Sequence, residues 1–402
     1  MIKILFVDDE PNVLDGLRRM LHSMAGVWDM RFLTDPFEAL QAIQDCFFDI
    51  IVSDLRMPEM DGAVLLQEVR HRSPETVRIA LSGYSDQAST LRAVSQMHQF
   101  LAKPCAPDEL IAILNRATVL GNLLTNKRLK RILSEMESLP SLVTLYDDIV
   151  QELERPEPSA PFVGELIARD AAMSAKVLQL VNSALFGLPN IVSDPVHATL
   201  LLGLDTLHAL VFSIKIFDQF TAETVGGLSV PDLWNHCVSV ARLAKRIAMA
   251  QSAPDAVAET AFLGGLLHDI GKIVLATDTP ELYANVLSES QHDHAAIISL
   301  EESALGGNHA EVGGYLMGLW GFSEPIIEAI YMHHDPAKSP STSFGALAAV
   351  HVANGLCHLL KEPEASLNNT IDHAFLERLG LNRQVPIWMD LATQTLGKEN
   401  DT

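Results

Sequence analysis

Through the first 120 residues, short apolar runs alternate with apolar positions at helical spacing. Ile50-Ile51-Val52 is bounded by polar residues and too short for a helix, so it predicts a buried strand ending at Ser53-Asp54. Comparable runs predict strands at 3–7, 30–33, 77–81 and 99–102. Pro11 opens a helical pattern through Val13, Leu14, Leu17 and Leu21, and further helices are predicted at 36–44, 63–71, 86–97 and 107–119. Strict alternation of five such units implies a parallel, doubly wound sheet covered by helices on both faces. From 120 to 136 the apolar period is helical only, and Leu139-Pro140 closes this connector. Beyond 141 strand signals vanish. Helical runs follow one another, and those at 198–204 and 207–217 are apolar on most faces and belong in a core. The fold class expected is α/β followed by all-α.

Right-handed crossovers bring every strand's carboxyl end to one edge, so Asp8, Asp9, Asp54, Ser82 and Lys103 should converge there. Clustered carboxylates repel unless a cation joins them, and hard oxygen ligands suit Mg²⁺. Together with Lys103, such an ion would neutralise an incoming phosphoryl group. Asp54, alone on the central strand, is then the candidate nucleophile. Pro58 and Asp61-Gly62 mark the loop that follows it.

The segments VDDE, SDLRMPEMDG, LSG and AKP resemble the receiver domain of two-component response regulators, over residues 1 to about 120. The resemblance implies a flavodoxin-like (βα)5 domain. It makes Asp54 the phosphoacceptor of a sensor histidine kinase, and Asp8, Asp9, Asp54 and the Arg56 carbonyl the Mg²⁺ site. Ser82 and Lys103 become the phosphoryl contacts, with Ser82 and Phe100 the switch pair. It also implies a cis Lys103-Pro104 bond. Residues 170–211 resemble the HDOD domain, the HD-related output domain of bacterial signalling proteins, most clearly in NSALFG and ATLLLG.

Histidine placement is the chemical question in the second half. Asp232 and His236 are four apart on one predicted helix face, His268-Asp269 stand in GLLHDIGK, His309 opens a helix, and His333-His334 close one. Such a set could hold one or two ions of Fe, Mn or Zn, and Lys272, one turn beyond His268, could meet a phosphate. Asn354 in VHVANGL stands where the hydrolase pattern of HD enzymes ends in a metal-binding Asp, and HHDP does not lead into the GYP signature of cyclic-di-GMP phosphodiesterases. Asn lacks the charge that holds a divalent ion and activates its water. A metal site that is structural or binds a ligand, such as a nucleotide, is therefore expected before an HD-type phosphohydrolase acting on a nucleotide or cyclic dinucleotide. Histidines that merely satisfy core hydrogen bonds are the plainest alternative. Trp234, Trp320 and Phe322 are expected in the core.

Composition narrows the partners. The 402 residues suffice for two or three domains: a receiver at 1–120, a helical linker at 121–138, the helical output domain at 139–395, and a mobile tail at 396–402. A formal charge of −23 argues against a nucleic-acid surface, and no basic recognition helix follows the receiver. The basic run Lys127, Arg128, Lys130, Arg131 reads as a solvated helix face, or alternatively as a dock on acidic surface of the next domain. Four scattered cysteines, an N-terminus that turns acidic early and the lack of an apolar run near 20 residues point to a cytoplasmic protein without membrane insertion. The partners implied are the sensor kinase, a downstream signalling protein and, through the receiver or linker helix, a second copy of the chain.

Overall fold

The fold was analysed in a computed structural model, which describes residues 1–83, 96–123, 126–135, 157–182, 192–204, 218–220, 224–290, 294–361 and 370–396, with 140–142, 148–149, 151–153, 155 and 207. Residues 86–95 of the helix expected at 86–97, most of NSALFG and nearly all of the tail lie outside the described residues.

The N-terminal domain alternates β1 (Ile2–Val7), α1 (Pro11–Met20), β2 (Trp28–Leu33), α2 (Pro36–Asp45), β3 (Ile50–Asp54), α3 (Gly62–Arg72), β4 (Val77–Gly83), β5 (Gln99–Lys103) and α4 (Pro107–Leu123). Its five strands are all parallel in the order β2-β1-β3-β4-β5. Strand residues alternate between two buried layers: Leu5, Ile51, Ala80 and Phe100 face one, while Ile4, Val52, Ile79 and Leu101 face the other with Leu110 and Leu114 of α4. A sheet buried on both faces explains why its strands read as continuous apolar runs. Side-chain caps start two of the helices, Asp35 accepting from the Phe37 N–H and Asp61 from the Ala63 N–H. Gly62 has a steric role as well, since a Cβ there would lie 1.9 Å from the Asp54 carbonyl oxygen.

The connector forms α5 (Lys127–Glu135), and β6 (Pro140–Leu142) pairs in parallel with β7 (Asp218–Phe220). A two-residue hairpin, β8 (Thr224–Val225) with β9 (Leu228–Ser229), precedes the long helices. The second half is thus helical with two small sheets that were not expected, because strands of two or three residues are too short to carry an apolar period. Its helices are α6 (Ala160–Ile167), α7 (Ala171–Val181), α8 (Pro195–Leu202), α9 (Val230–Ala250), α10 (Asp255–Leu267), α11 (Ile270–Asp278), α12 (Pro280–Ser290), α13 (His294–Leu305), α14 (His309–Leu319), α15 (Glu324–Tyr331), α16 (Ala346–Lys361), α17 (His373–Arg378) and α18 (Val385–Leu396).

The two halves share a core. The layer containing Leu110 and Leu114 continues into Tyr315, Leu319, Trp320 and Phe322. Gln99 of β5 donates from Nε2 to the Gly318 carbonyl of α14 at 3.1 Å, and Gln179 of α7 reaches the His98 carbonyl at 3.4 Å. Asn126 donates to the Leu305 carbonyl at 3.1 Å, and Arg128 pairs with Asp278 at 3.1 Å. Arg128 therefore takes the docking role rather than that of a wholly solvated face. Leu129 and Leu133 are buried beneath it.

One stretch, Asp255–Asp278, is long and apolar enough to cross a membrane by length and composition, contrary to the expected lack of such a run, and 89% of its apolar window is buried in the protein. It is α10 and α11, interrupted at His268-Asp269. Its apolar character is that of a core element, and its buried charged residues, Asp269 and Lys272, lie at the histidine cluster.

Lys176 of α7 is buried with its ammonium 4.8 Å from the centre of the Trp320 ring, and burial pushes its pKa down to about 8. In the unfolded chain it titrates near 10.5. Between these values the unfolded chain holds more protons, so this group's contribution to stability rises with pH over that window. Lys176→Met should therefore raise the melting temperature at pH 7, by an amount corresponding to roughly 1–3 kcal/mol. The gain should shrink toward pH 10, as read by thermal denaturation across pH.

Candidate functional site

Strand register brings the first site together. Val7 pairs with Ser53, Asp54 with Leu81, Ser82 with Ala102 and Gly83 with Lys103, so the chain ends of β1, β3, β4 and β5 lie at one edge. Lys103 Nζ lies 2.6 Å from Asp8 Oδ2 and 2.5 Å from Asp54 Oδ1. Asp8 is 1% and Asp54 7% exposed. The Arg56 N–H donates to Asp54 Oδ2 at 2.9 Å, and Asp9 stands half-buried beside Asp8. Burial raises the Asp54 pKa against the lowering effect of Lys103, whereas the two carboxylates hold the Lys103 pKa up against burial. Three carboxylates at one edge with a single ammonium between two of them are the donor chemistry of a hard cation, and the residues fit Mg²⁺. Ser82 lies in β4, its side chain outside the described set; Phe100 is buried under α2 and α3. The Lys103-Pro104 bond is cis.

A second site lies at the broken junction of α10 and α11. Asp269 is at its centre: His268 Nε2 is 3.4 Å and His236 Nε2 3.7 Å from Oδ2, while His309 Nε2 is 3.2 Å and His333 Nε2 3.8 Å from Oδ1. His334 Nε2 faces His309 Nε2 at 2.9 Å. Lys272 Nζ reaches Asp269 Oδ2 at 2.7 Å, and Asn354 Oδ1 is 3.0 Å from His236 Nε2. The set comprises two groups of metal-capable donors, Asp269, His309, His333 and His334, and His236, His268 and Asp269. Within each group the ligand atoms lie within 4.8 Å of one another.

Orientation comes from the backbone. His268 Nδ1 bonds the Gly265 carbonyl and His333 Nδ1 the Ile330 carbonyl, both at 2.7 Å, which turns each Nε2 inward. His309 heads α14 through a capping box between Asn308 and Glu311. Gly271 lets α11 approach, since a Cβ there would lie 2.0 Å from the His309 carbonyl oxygen. Burial lowers the pKa of His268 and, further, those of His333 and His334. Burial opposes ionisation of Asp269 too, but His268, Lys272 and His309 bring its pKa well below the usual range. His309 goes the other way, its pKa raised against burial by Glu301 and Asp269, so the neutral imidazoles beside the ionised Asp269 are His268, His333 and His334, the ligand state metals require. Among the described residues, His268 Nε2, His333 Nε2 and Asp269 Oδ1 are buried without a hydrogen-bond partner, as open metal donors would be, His268 in one group, His333 in the other and Asp269 common to both.

Every residue expected in this set except Asp232 converges. Asp232 is exposed in the first turn of α9, its backbone N–H capped by the Ser229 hydroxyl. Helical spacing put it on the His236 face, but the cluster lies deeper than the helix start. Glu301 was missed. It is fully buried, accepts from the His309 backbone N–H at 2.9 Å and from Tyr283 Oη at 3.1 Å, and lies 2.7 Å from His309 Nδ1. Nothing in its sequence neighbourhood distinguishes it from the Glu302 beside it. Trp320 and Phe322 are buried and Trp234 half-buried, as expected of core aromatics.

Residues 4–115 match the family described as response regulator receiver domain, and residues 139–336 the family described as HDOD domain. The chain joins a receiver domain to an HDOD domain. This receiver–HDOD chain is 26% identical over 233 residues to an uncharacterized protein of Treponema pallidum, covering 57% of the chain and 44% of that protein. It is 38% identical over 120 residues to the hydrogenase transcriptional regulatory protein HoxA of Cupriavidus necator, covering 28% and 23%. It thus spans less than half the length of either curated relative. Among solved structures it resembles the MmoQ response regulator of Methylococcus capsulatus at 23% identity, covering 63% of this chain and 98% of that one with a TM-score of 0.46.

Because Asp54 is held ionised at a cost in the receiver, Asp54→Asn should melt at a higher temperature than the native chain at pH 7. A raised acid pKa contributes stability that is present at low pH and lost as pH rises through the folded value. The advantage of the variant should therefore narrow as pH falls through the raised Asp54 pKa, a trend that calorimetry would follow.

Proposed function

We propose that this response regulator accepts a phosphoryl group on Asp54 from a sensor histidine kinase, and that the change is passed to a non-hydrolytic HDOD output domain that binds a partner. The observation that carries this is the Lys103 ammonium shared by Asp54 and Asp8 at the strand edge. In the transfer, an Asp54 Oδ forms the new O–P bond as the N–P bond of the donor phosphohistidine breaks and its electron pair returns to the imidazole. Mg²⁺, held by Asp8, Asp9, Asp54 and the Arg56 carbonyl, would supply charge neutralisation for the phosphoryl oxygens. Lys103 exchanges its bond to the Asp54 carboxylate for one to a phosphoryl oxygen, and Ser82 is the hydroxyl that meets another.

The route outward is β5. Phe100 faces the layer beneath α2 and α3, while its neighbour Gln99 holds Gly318 of α14. A shift of this strand therefore bears on the helix that begins at His309. The output partner is a protein or small ligand in the cytoplasm. The match to HoxA covers the receiver length only, so that protein's transcriptional role is not transferred, and a charge of −23 does not favour DNA.

Acetyl phosphate or a cognate kinase should label the native chain in the presence of Mg²⁺ and leave Asp54→Asn and Asp54→Ala unlabelled. Label retained on both variants would move the phosphoacceptor elsewhere. A second reading, a phospho-controlled HD-type phosphohydrolase, is favoured by one observation, the convergence of His236, His268, Asp269, His309, His333 and His334. Turnover of a phosphodiester panel by the metal-loaded native chain would establish that reading. The binding reading expects no turnover by the native chain, with Asn354→Asp assayed alongside.

A further inference from the structure

Resting on the reading that the HDOD cluster holds metal, we infer that it binds a single divalent transition ion, in the half formed by Asp269, His309, His333 and His334, with Glu301 as the positioning residue. The half formed by His236, His268 and Asp269 is closed by the protein's own contacts.

Distances alone do not separate the halves. Bonds of about 2.1 Å in a tetrahedral shell put ligand atoms about 3.4 Å apart. In one half the measured separations are 3.2, 3.8 and 2.9 Å, and in the other 3.4 and 3.7 Å. Both bracket the requirement, so the decision falls to what else each donor touches.

In the His236 half His268 Nε2 is without a partner among the described residues, but the other two donors are engaged. Asn354 presents Oδ1, which can only accept, so the 3.0 Å contact puts a proton on His236 Nε2, the nitrogen that would have to bind metal. Asp269 Oδ2 already carries the Lys272 ammonium at 2.7 Å, and an ion beside that oxygen would sit against a fixed positive charge. The fourth corner is a neutral amide where a carboxylate would be needed.

The other half is arranged oppositely. Asp269 Oδ1 and His333 Nε2 are buried without hydrogen-bond partners among the described residues, and the His333 proton is committed to the Ile330 carbonyl through Nδ1. Glu301 accepts from His309 Nδ1 at 2.7 Å while gripping the same residue's backbone N–H, which fixes the ring with Nε2 3.2 Å from Asp269 Oδ1, the nitrogen an ion would take. Tyr283 in turn holds Glu301. The 2.9 Å contact between His309 Nε2 and His334 Nε2 holds one proton, which an ion between the two nitrogens would displace. Three imidazole nitrogens and one carboxylate oxygen select a borderline ion such as Zn²⁺, Fe²⁺ or Co²⁺ over Mg²⁺. His334 alone among the four is half-exposed, and it marks the side from which an ion or an added ligand could enter.

The full-length chain, stripped with chelator, would be titrated with Co²⁺ and read by bound metal per chain and by the visible absorption of the bound ion. One ion per chain with the intense spectrum of a four-coordinate site is expected. His236→Ala should keep that ion, His333→Gln should lose it, and Glu301→Gln should weaken it by about 10- to 100-fold. Circular dichroism on each variant separates loss of the site from loss of the fold, and His309→Gln serves if His333→Gln does not fold. Two ions per native chain, or one ion lost in His236→Ala and kept in His333→Gln, would overturn the assignment while leaving the metal reading intact. No bound ion in the folded native chain would overturn the metal reading itself.

Discussion

A buried carboxylate persists in ionised form only where a cation or donor compensates it, and both sites of this chain are built on that constraint. At the sheet edge the compensation is one ammonium, Lys103, spread between Asp54 and Asp8. At the junction of α10 and α11 it is Lys272 with a ring of imidazoles around Asp269. The two solutions differ in slack. Lys103 is partly exposed and reaches its partners along a flexible stem, so it can be redirected when the charge on Asp54 changes. Lys272 and the imidazoles other than His334 are buried, and carbonyls of the surrounding helices fix His268 and His333.

Helix α14 ties these sites into one molecule. Its first residue, His309, belongs to the inner cluster, and near its last turn the Gly318 carbonyl accepts from Gln99 of the receiver. The connector adds two more holds close by, Asn126 on the carbonyl of Leu305 and Arg128 on Asp278 at the end of α11. Receiver and output domain are thereby joined through the two helices whose N-terminal ends line the cluster. Linkage of this kind is physical rather than positional, because the packed layer from Leu114 to Leu319 is continuous.

The sequence is most legible where one local rule decides the outcome. Strand ends were readable because a sheet buried on both faces leaves uninterrupted apolar runs that stop at a charge, as at Val7-Asp8 and Val52-Ser53-Asp54. Histidines in the inner cluster were readable because four of them stand in helix-boundary positions next to apolar runs. What failed needed depth. Asp232 obeys the spacing rule yet lies too near the surface end of α9, and Glu301 differs from Glu302 only in which way its helix faces. Arg128 needed knowledge of where Asp278 falls in space, 150 residues away. The short strands β6 to β9 fell below any detectable period.

The close contact at Gly271 has a bearing on how this cluster can change over generations. Asn354 occupies its corner by a side chain, and exchanging one planar group for another there leaves the helices where they are. Gly271 is different, because the His309 carbonyl fills the space a methyl group would need. Loss of a ligand is thus an easy step for this architecture, while separation of α11 from α14 is a hard one. A lineage can discard the chemistry of such a site residue by residue and still inherit its shape.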